Sequence, residues 1–171
     1  MNLPNSITCS RLIGIPIVIY GLYQPATIWH WASFTIFLIA AATDWLDGYL
    51  ARKLNQVTDL GKFLDPLVDK LLVLIPYLTL IELQLVPAVG VSLILLRELV
   101  VAGWRVNQTQ ISGANWWGKV KAVLQMGSIA LLIIPIPALQ VWGIVVFWAA
   151  VAITLISGGI YLGAGLKQTN S

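Results

Sequence analysis

Charge is scarce in this sequence. Asp, Glu, Lys and Arg together make up 10% of its 171 residues, while 58% are hydrophobic. Soluble domains carry about 25% charged residues, and a soluble fold of this size exposes more polar surface than these side chains supply. This excludes an ordinary soluble domain and leaves a membrane protein, expected to form one domain over residues 1–171. Cysteine is nearly absent. Cys9 stands alone, so no internal disulfide holds the fold, and it is read as a small packed residue. His30 is the single histidine and is assigned no chemistry. The ten Lys and Arg residues form no basic tract and the net charge is only +3, which argues against a nucleic-acid partner. Tandem repeats and low-complexity stretches are missing too. The first residues lack a charged n-region followed by an apolar run and a small-residue cleavage site, so the first apolar run is read as a span, not a cleaved signal.

What remains is six apolar segments: Leu12–Tyr23, Trp29–Thr43, Phe63–Ile81, Pro87–Ala102, Val120–Ile136 and Val141–Leu162. Several fall short of the roughly 20 residues a span needs, so their helices are expected to continue into polar flanks. Turn signals separate them at Gln24-Pro25, at Gln84 to Pro87, and at Pro135 to Pro137. The basic residues occupy alternate ends of the segments. Arg11, then Arg52, Lys53, Lys62 and Lys70, then Arg97, Arg105, Lys119 and Lys121, and finally Lys167 all fall at one end, and the opposite loops hold none. By the positive-inside rule, both termini and the Arg52–Lys62 loop are expected on the cytoplasmic side of a cell or inner membrane. Trp29, Trp31 and Trp142 are read as interfacial anchors at the other side. Asn5, Thr8 and Arg11 recur every three residues behind Pro4, sharing one helix face. The expected fold is therefore an all-α integral membrane protein with six transmembrane helices, preceded by a short interfacial N-terminal helix.

The acidic residues are few and clustered. Of seven, five lie between positions 44 and 69. Asp44 and Asp47 are three apart and Asp65 and Asp69 four apart, spacings that put each pair on one helix face. The first pair ends the second segment and the second pair begins the third. A short turn joins the two, making antiparallel neighbours whose four carboxylates converge near the membrane surface. Four carboxylates in a low-dielectric site repel one another and carry a large desolvation cost. Hard divalent cations remove both problems, because Mg²⁺ and Mn²⁺ take oxygen ligands. Two ions balance four carboxylates, and two metals about 3.5–4 Å apart suit in-line attack at phosphorus. Salt bridges to Arg52, Lys53, Lys62 and Lys70 would be the structural alternative, but charges this close to a membrane interior are expensive and usually functional. Gly48, Ala51 and Gly61 fall on the same faces and leave room for a bulky group, or for close helix packing.

Together these residues read Asp44-x2-Asp47-Gly48-x2-Ala51-Arg52-x8-Gly61-x3-Asp65-x3-Asp69. The pattern resembles the full signature of the CDP-alcohol phosphatidyltransferases, with no departure at its eight fixed positions. The surrounding Ala42-Thr43-Asp44-Trp45-Leu46-Asp47-Gly48 and Phe63-Leu64-Asp65-Pro66-Leu67-Val68-Asp69-Lys70 look like the phosphatidylglycerophosphate-forming branch. So do Asn5, Thr8 and Arg11, the pair Arg97-Glu98, and Gly118-Lys119-Val120-Lys121. The resemblance implies metal binding by Asp44, Asp47 and Asp65. It implies that Asp69 is general base and a fourth metal ligand. It places Gly48, Ala51, Arg52 and Gly61, with Asn5 and Thr8, at the CDP group, which Asp44 and Asp47 reach through metal. It also implies a homodimer.

The expected reaction moves the phosphatidyl group of CDP-diacylglycerol onto an alcohol and releases CMP, with two Mg²⁺ or Mn²⁺ ions. Glycerol 3-phosphate is the expected acceptor, because Arg97, Arg105, Lys119 and Lys121, helped by Arg11, can form a cationic pocket for its phosphate. Positive-inside signalling explains any one of these residues equally well. Phosphatidylglycerol, inositol phosphate or serine as acceptor is the nearest alternative. A cation or proton transporter is the rival of another class, but it would be expected to hold its carboxylates near mid-membrane on broken helices.

Overall fold

The computed structural model describes residues 3–53, 59–106 and 116–169, except for the side chains of 3–9, 44–53, 59–65, 104–106 and 162–169. Among the described residues it is all-helical: α1 (Leu3–Leu22), α2 (Thr27–Lys53), α3 (Asp59–Glu82), α4 (Ala88–Val106), α5 (Trp116–Ile133) and α6 (Pro137–Thr169). Each apolar segment coincides with one helix to within a few residues at its apolar end. Every helix also runs past its segment at the charge-rich end, because backbone helicity does not stop where apolar side chains do.

One expectation is corrected. Residues Asn5–Arg11 do not form a separate interfacial helix, since α1 is continuous from Leu3 to Leu22. Pro4 sits in the first turn, where its missing N–H is not needed, and no breaker follows until Pro16, which α1 tolerates in its interior.

The charge-poor end is built from tight turns. After α3, Leu85 N–H donates to the Leu80 carbonyl at 2.9 Å and Gln84 N–H to the Ile81 carbonyl at 2.9 Å, with Gln84 at φ 60°. This is a Schellman closure with glutamine in the left-handed position, and Pro87 then prevents further helix. After α5, the Gln140 amide donates to the Leu132 and Ile134 carbonyls at 3.3 and 3.1 Å, satisfying orphan acceptors of that terminus. Tyr23 beside α1 donates to Glu82 of α3 at the same end.

α1 packs on α2 and α3, α4 and α5 pack on α6, and α3 also touches α2, α4 and α5. The shared core holds Phe37, Leu72, Tyr77, Ile129, Leu132 and Phe147, with Tyr77 and Phe147 edge to face at 5.4 Å. Outward surfaces are apolar as well: Ile13, Ile28, Leu78, Leu96, Val123 and Val141 are all exposed. The buried set meanwhile includes Gln125, Ser128, Thr154 and Ser157. Among the described residues one segment, Pro137–Tyr161 of α6, is long and apolar enough by itself to cross a membrane.

α4 and α6 approach closely. A methyl added at Gly90 would lie 2.5 Å from the Phe147 ring, which is fully buried. That ring cannot retreat through a packed core, so Gly90→Ala is expected to destabilise the fold by about 1–3 kcal/mol. A lowered midpoint of thermal unfolding in detergent checks this, and an unchanged midpoint refutes the α4–α6 packing.

Candidate active site at the basic end

Helix direction fixes what meets at the charge-rich end. α2 leads into α3 through residues 54–58, so the end of α2 and the start of α3 lie at one end of the bundle. α2 carries Asp44, Asp47, Gly48, Ala51 and Arg52 in helical backbone, and α3 carries Gly61 and Asp65 likewise. The side chains of these residues lie outside the described residues, as do those of Asn5, Thr8 and Arg105. Asp69, one turn further along α3, is described. Arg11 Nη1 of α1 donates to its Oδ1 at 3.3 Å. Arg11 is only 2% exposed, and a buried guanidinium needs such an anion to offset its lost hydration. Asp69 is half-exposed and lines a cavity.

That cavity, of about 640 Å³, opens between α3, α4, α5 and α6. It adjoins a smaller one of about 250 Å³ that also borders Asp69 and runs inward to Gln125. The larger cavity brings together three of the predicted acceptor cations, Arg97, Lys119 and Lys121, and adds Lys70. Two carboxylates, Asp69 and Glu98, share its wall. Four cations against two carboxylates leave an excess of two positive charges among the described lining residues, so the cavity favours an anion. Arg11 does not line either cavity. It donates instead to Asp69, a residue of the cavity wall.

Arg97 is buried and fixed from several sides. Its Nη2 donates to Ser157 Oγ of α6 at 2.8 Å, and its Nη1 to Glu98 Oε1 at 3.1 Å. Its guanidinium carbon lies 5.9 Å from the centre of the Tyr161 ring, a distance that suits cation–π attraction. Gly158 makes space for the stem, since a methyl there would meet Arg97 Cγ at 2.8 Å. Lys121 Nζ of α5 also donates to Glu98 Oε1, whereas Lys119 is exposed at the cavity wall.

Sequence reasoning gave no role to Ser157, Gly158 or Tyr161, weighed Lys70 only as a salt-bridge partner and orientation signal, and noted Glu98 only beside Arg97 as part of the family resemblance. A usable signal existed for Glu98: a carboxylate in the apolar run of α4 is costly unless a nearby cation compensates it. Nothing in the sequence marked the α6 residues, which reach Arg97 only through packing.

The family model described as CDP-alcohol phosphatidyltransferase matches residues 1–156. The CDP-diacylglycerol–glycerol-3-phosphate 3-phosphatidyltransferase of Bacillus subtilis is 39% identical, over 99% of each chain. The enzyme of the same name from Pseudomonas fluorescens is 37% identical, over 98% of this chain and 88% of its own. That from Escherichia coli K12 is 36% identical, over 95% and 94%. Matches of this extent leave no part of the helical core unaccounted for, and the chain belongs to the CDP-alcohol phosphatidyltransferase family.

Proposed function

We propose that this protein transfers the phosphatidyl group of CDP-diacylglycerol to glycerol 3-phosphate, giving phosphatidylglycerol phosphate and CMP. The relatives that carry this activity in their names span nearly the whole chain. The observation that carries the reading is the cavity in which half-exposed Asp69 shares a wall with Arg97, Lys119 and Lys121. A carboxylate able to take a proton therefore stands beside fixed positive charge able to take a phosphate.

In this reading the acceptor's phosphate enters the cationic wall and its free hydroxyl faces Asp69. Asp69 accepts the hydroxyl proton as the oxygen attacks phosphorus. The new P–O bond forms in line with the one that breaks, and CMP leaves with the bonding electrons. No covalent enzyme intermediate is needed. Arg11 keeps Asp69 oriented through its 3.3 Å hydrogen bond. Asp44, Asp47, Asp65 and Asp69 are the residues that would hold two Mg²⁺ or Mn²⁺ ions, because an all-carboxylate donor set suits hard cations. Such ions supply charge neutralisation on the diphosphate and polarisation at phosphorus. Gly48, Ala51, Arg52 and Gly61, with Asn5 and Thr8, would border the CDP group.

The same reading takes residues 1–171 as one membrane domain of six spans, with the basic end cytoplasmic and a second copy completing a homodimer. Apolar outward faces on the helices and buried polar groups between them support the bilayer placement. Polar interior residues such as Gln125 and Thr154 are uncharged and bonded to each other at 3.0 Å. That gives little support to an ion path through the bundle.

The direct test is purified protein in detergent with CDP-diacylglycerol, Mg²⁺ or Mn²⁺, and a panel of alcohols. CMP release is expected with glycerol 3-phosphate and little with glycerol, serine or inositol. Absence of CMP release with every alcohol would reject the transferase reading.

A further inference from the structure

Glu98 is the least expected group in the cationic wall. Its carboxylate would be assumed to weaken an anion site, yet it stands where two cations meet. One oxygen, Oε1, accepts from Arg97 Nη1 at 3.1 Å and also from Lys121 Nζ. The three side chains are 8–14% exposed, so water does little to screen them. Arg97 belongs to α4 and Lys121 to α5. Brought this close without an anion, the two cations would repel strongly in a poorly screened site. Glu98 sets two attractions against that repulsion and links α4 to α5 at the cavity.

The remainder of Arg97 is held from α6, by Ser157 Oγ at 2.8 Å and by the Tyr161 ring. Its buried Nε has no hydrogen-bond partner among the described residues, so those residues do not saturate the guanidinium. Lys119, by contrast, is exposed at the wall. Of the predicted acceptor cations on the wall, Arg97 and Lys121 thus form an inner, fixed pair and Lys119 an outer one.

The geometry points to Glu98 as a positioning residue that sets the spacing of Arg97 and Lys121 for the acceptor's phosphate. It touches neither the reacting hydroxyl nor phosphorus. This inference rests on the acceptor reading above. Its physical consequence runs against simple charge counting. Removing Glu98 makes the cavity more positive, which on Coulomb grounds alone tightens binding of a phosphate dianion. Loss of positioning weakens it, because two unrestrained cations separate and no longer present their donors together.

The sign of the effect in Glu98→Gln therefore decides. The KM for glycerol 3-phosphate is expected to rise roughly tenfold to a hundredfold, the scale of a lost charge-assisted hydrogen bond. The KM for CDP-diacylglycerol should stay within about twofold, with kcat at saturating acceptor little changed. Glu98→Asp keeps the charge on a shorter arm and is expected to recover part of the loss. If the Gln protein does not fold, the Asp variant carries the test through an intermediate rise confined to the acceptor KM. An unchanged or lowered acceptor KM in the folded variant overturns the inference, and so does an equal rise in both KM values. Wild-type protein assayed with glycerol in place of glycerol 3-phosphate separates the two levels. Equal use of both alcohols removes the acceptor reading and this inference with it. Preference for glycerol 3-phosphate combined with an unaffected Glu98→Gln KM removes only the role of Glu98.

Discussion

Asp69→Asn is expected to lower kcat by about a hundredfold to ten-thousandfold, the usual worth of a positioned general base. Asparagine keeps the shape and one carbonyl oxygen but cannot accept the acceptor's proton. It also leaves the nearly buried Arg11 without the carboxylate that it contacts at 3.3 Å. Some stability should be lost as well, so the thermal midpoint must be measured beside the rate. A chemical role is established if the variant remains folded at the assay temperature and is still inactive. Asp44→Asn, Asp47→Asn and Asp65→Asn are expected to be as damaging, because each removes one charge from the proposed metal-binding set. Chelation with EDTA should silence the wild type, and added Mg²⁺ or Mn²⁺ should restore it. Asp59→Asn lies outside the signature and should retain activity. A near-normal Asp65→Asn enzyme would remove the two-metal proposal while leaving Asp69 as base.

The division between what the sequence reveals and what it hides follows from the range of each interaction. Helix positions were legible because apolar runs and turn residues are local signals. Gln84 with Pro87, and Pro135 with Pro137, mark two of the bundle's turns without any knowledge of packing. The continuity of α1 was not legible. A capped polar stretch before an apolar run reads as a separate element, yet no residue there breaks the backbone ladder. The convergence of Arg97, Lys119 and Lys121 was legible as a tendency of basic residues to gather at one end. Their sorting was not. The sequence weighs Arg11 with the acceptor cations, and only the packing of α1 on α3 shows it bonded to Asp69. The grip of Ser157 and Tyr161 on Arg97 spans some sixty residues of chain. Contacts of that separation leave no periodicity to read.

Arg97→Ala is expected to raise the KM for glycerol 3-phosphate about 10- to 150-fold, corresponding to roughly 1.5–3 kcal/mol of lost charge-assisted hydrogen bonding. The KM for CDP-diacylglycerol should move little, because the nucleotide is assigned to Gly48, Ala51, Arg52 and Gly61, with Asn5 and Thr8, and not to Arg97. A phosphate dianion approaching a site with four carboxylates is repelled unless fixed cations answer it. Metal ions held by those carboxylates would attract any phosphate alike, so preference for a phosphorylated alcohol must come from Arg97 and its neighbours. Arg97 is the strongest candidate because it is buried and already oriented by Ser157 and Glu98, so little further ordering is needed when the ligand binds. Lys119→Ala should have a smaller effect, since an exposed ammonium is screened and mobile. Arg105 is expected to contribute from the end of α4, and Arg105→Ala belongs in the same series. Arg97→Lys should recover charge but not the fork, and so restore only part of the affinity. If serine or inositol served as well as glycerol 3-phosphate, the acceptor assignment would fall and the transferase assignment would stand. If Arg97, Arg105 and Lys119 could all be neutralised without weakening acceptor use, these residues would be left as signals of membrane orientation alone.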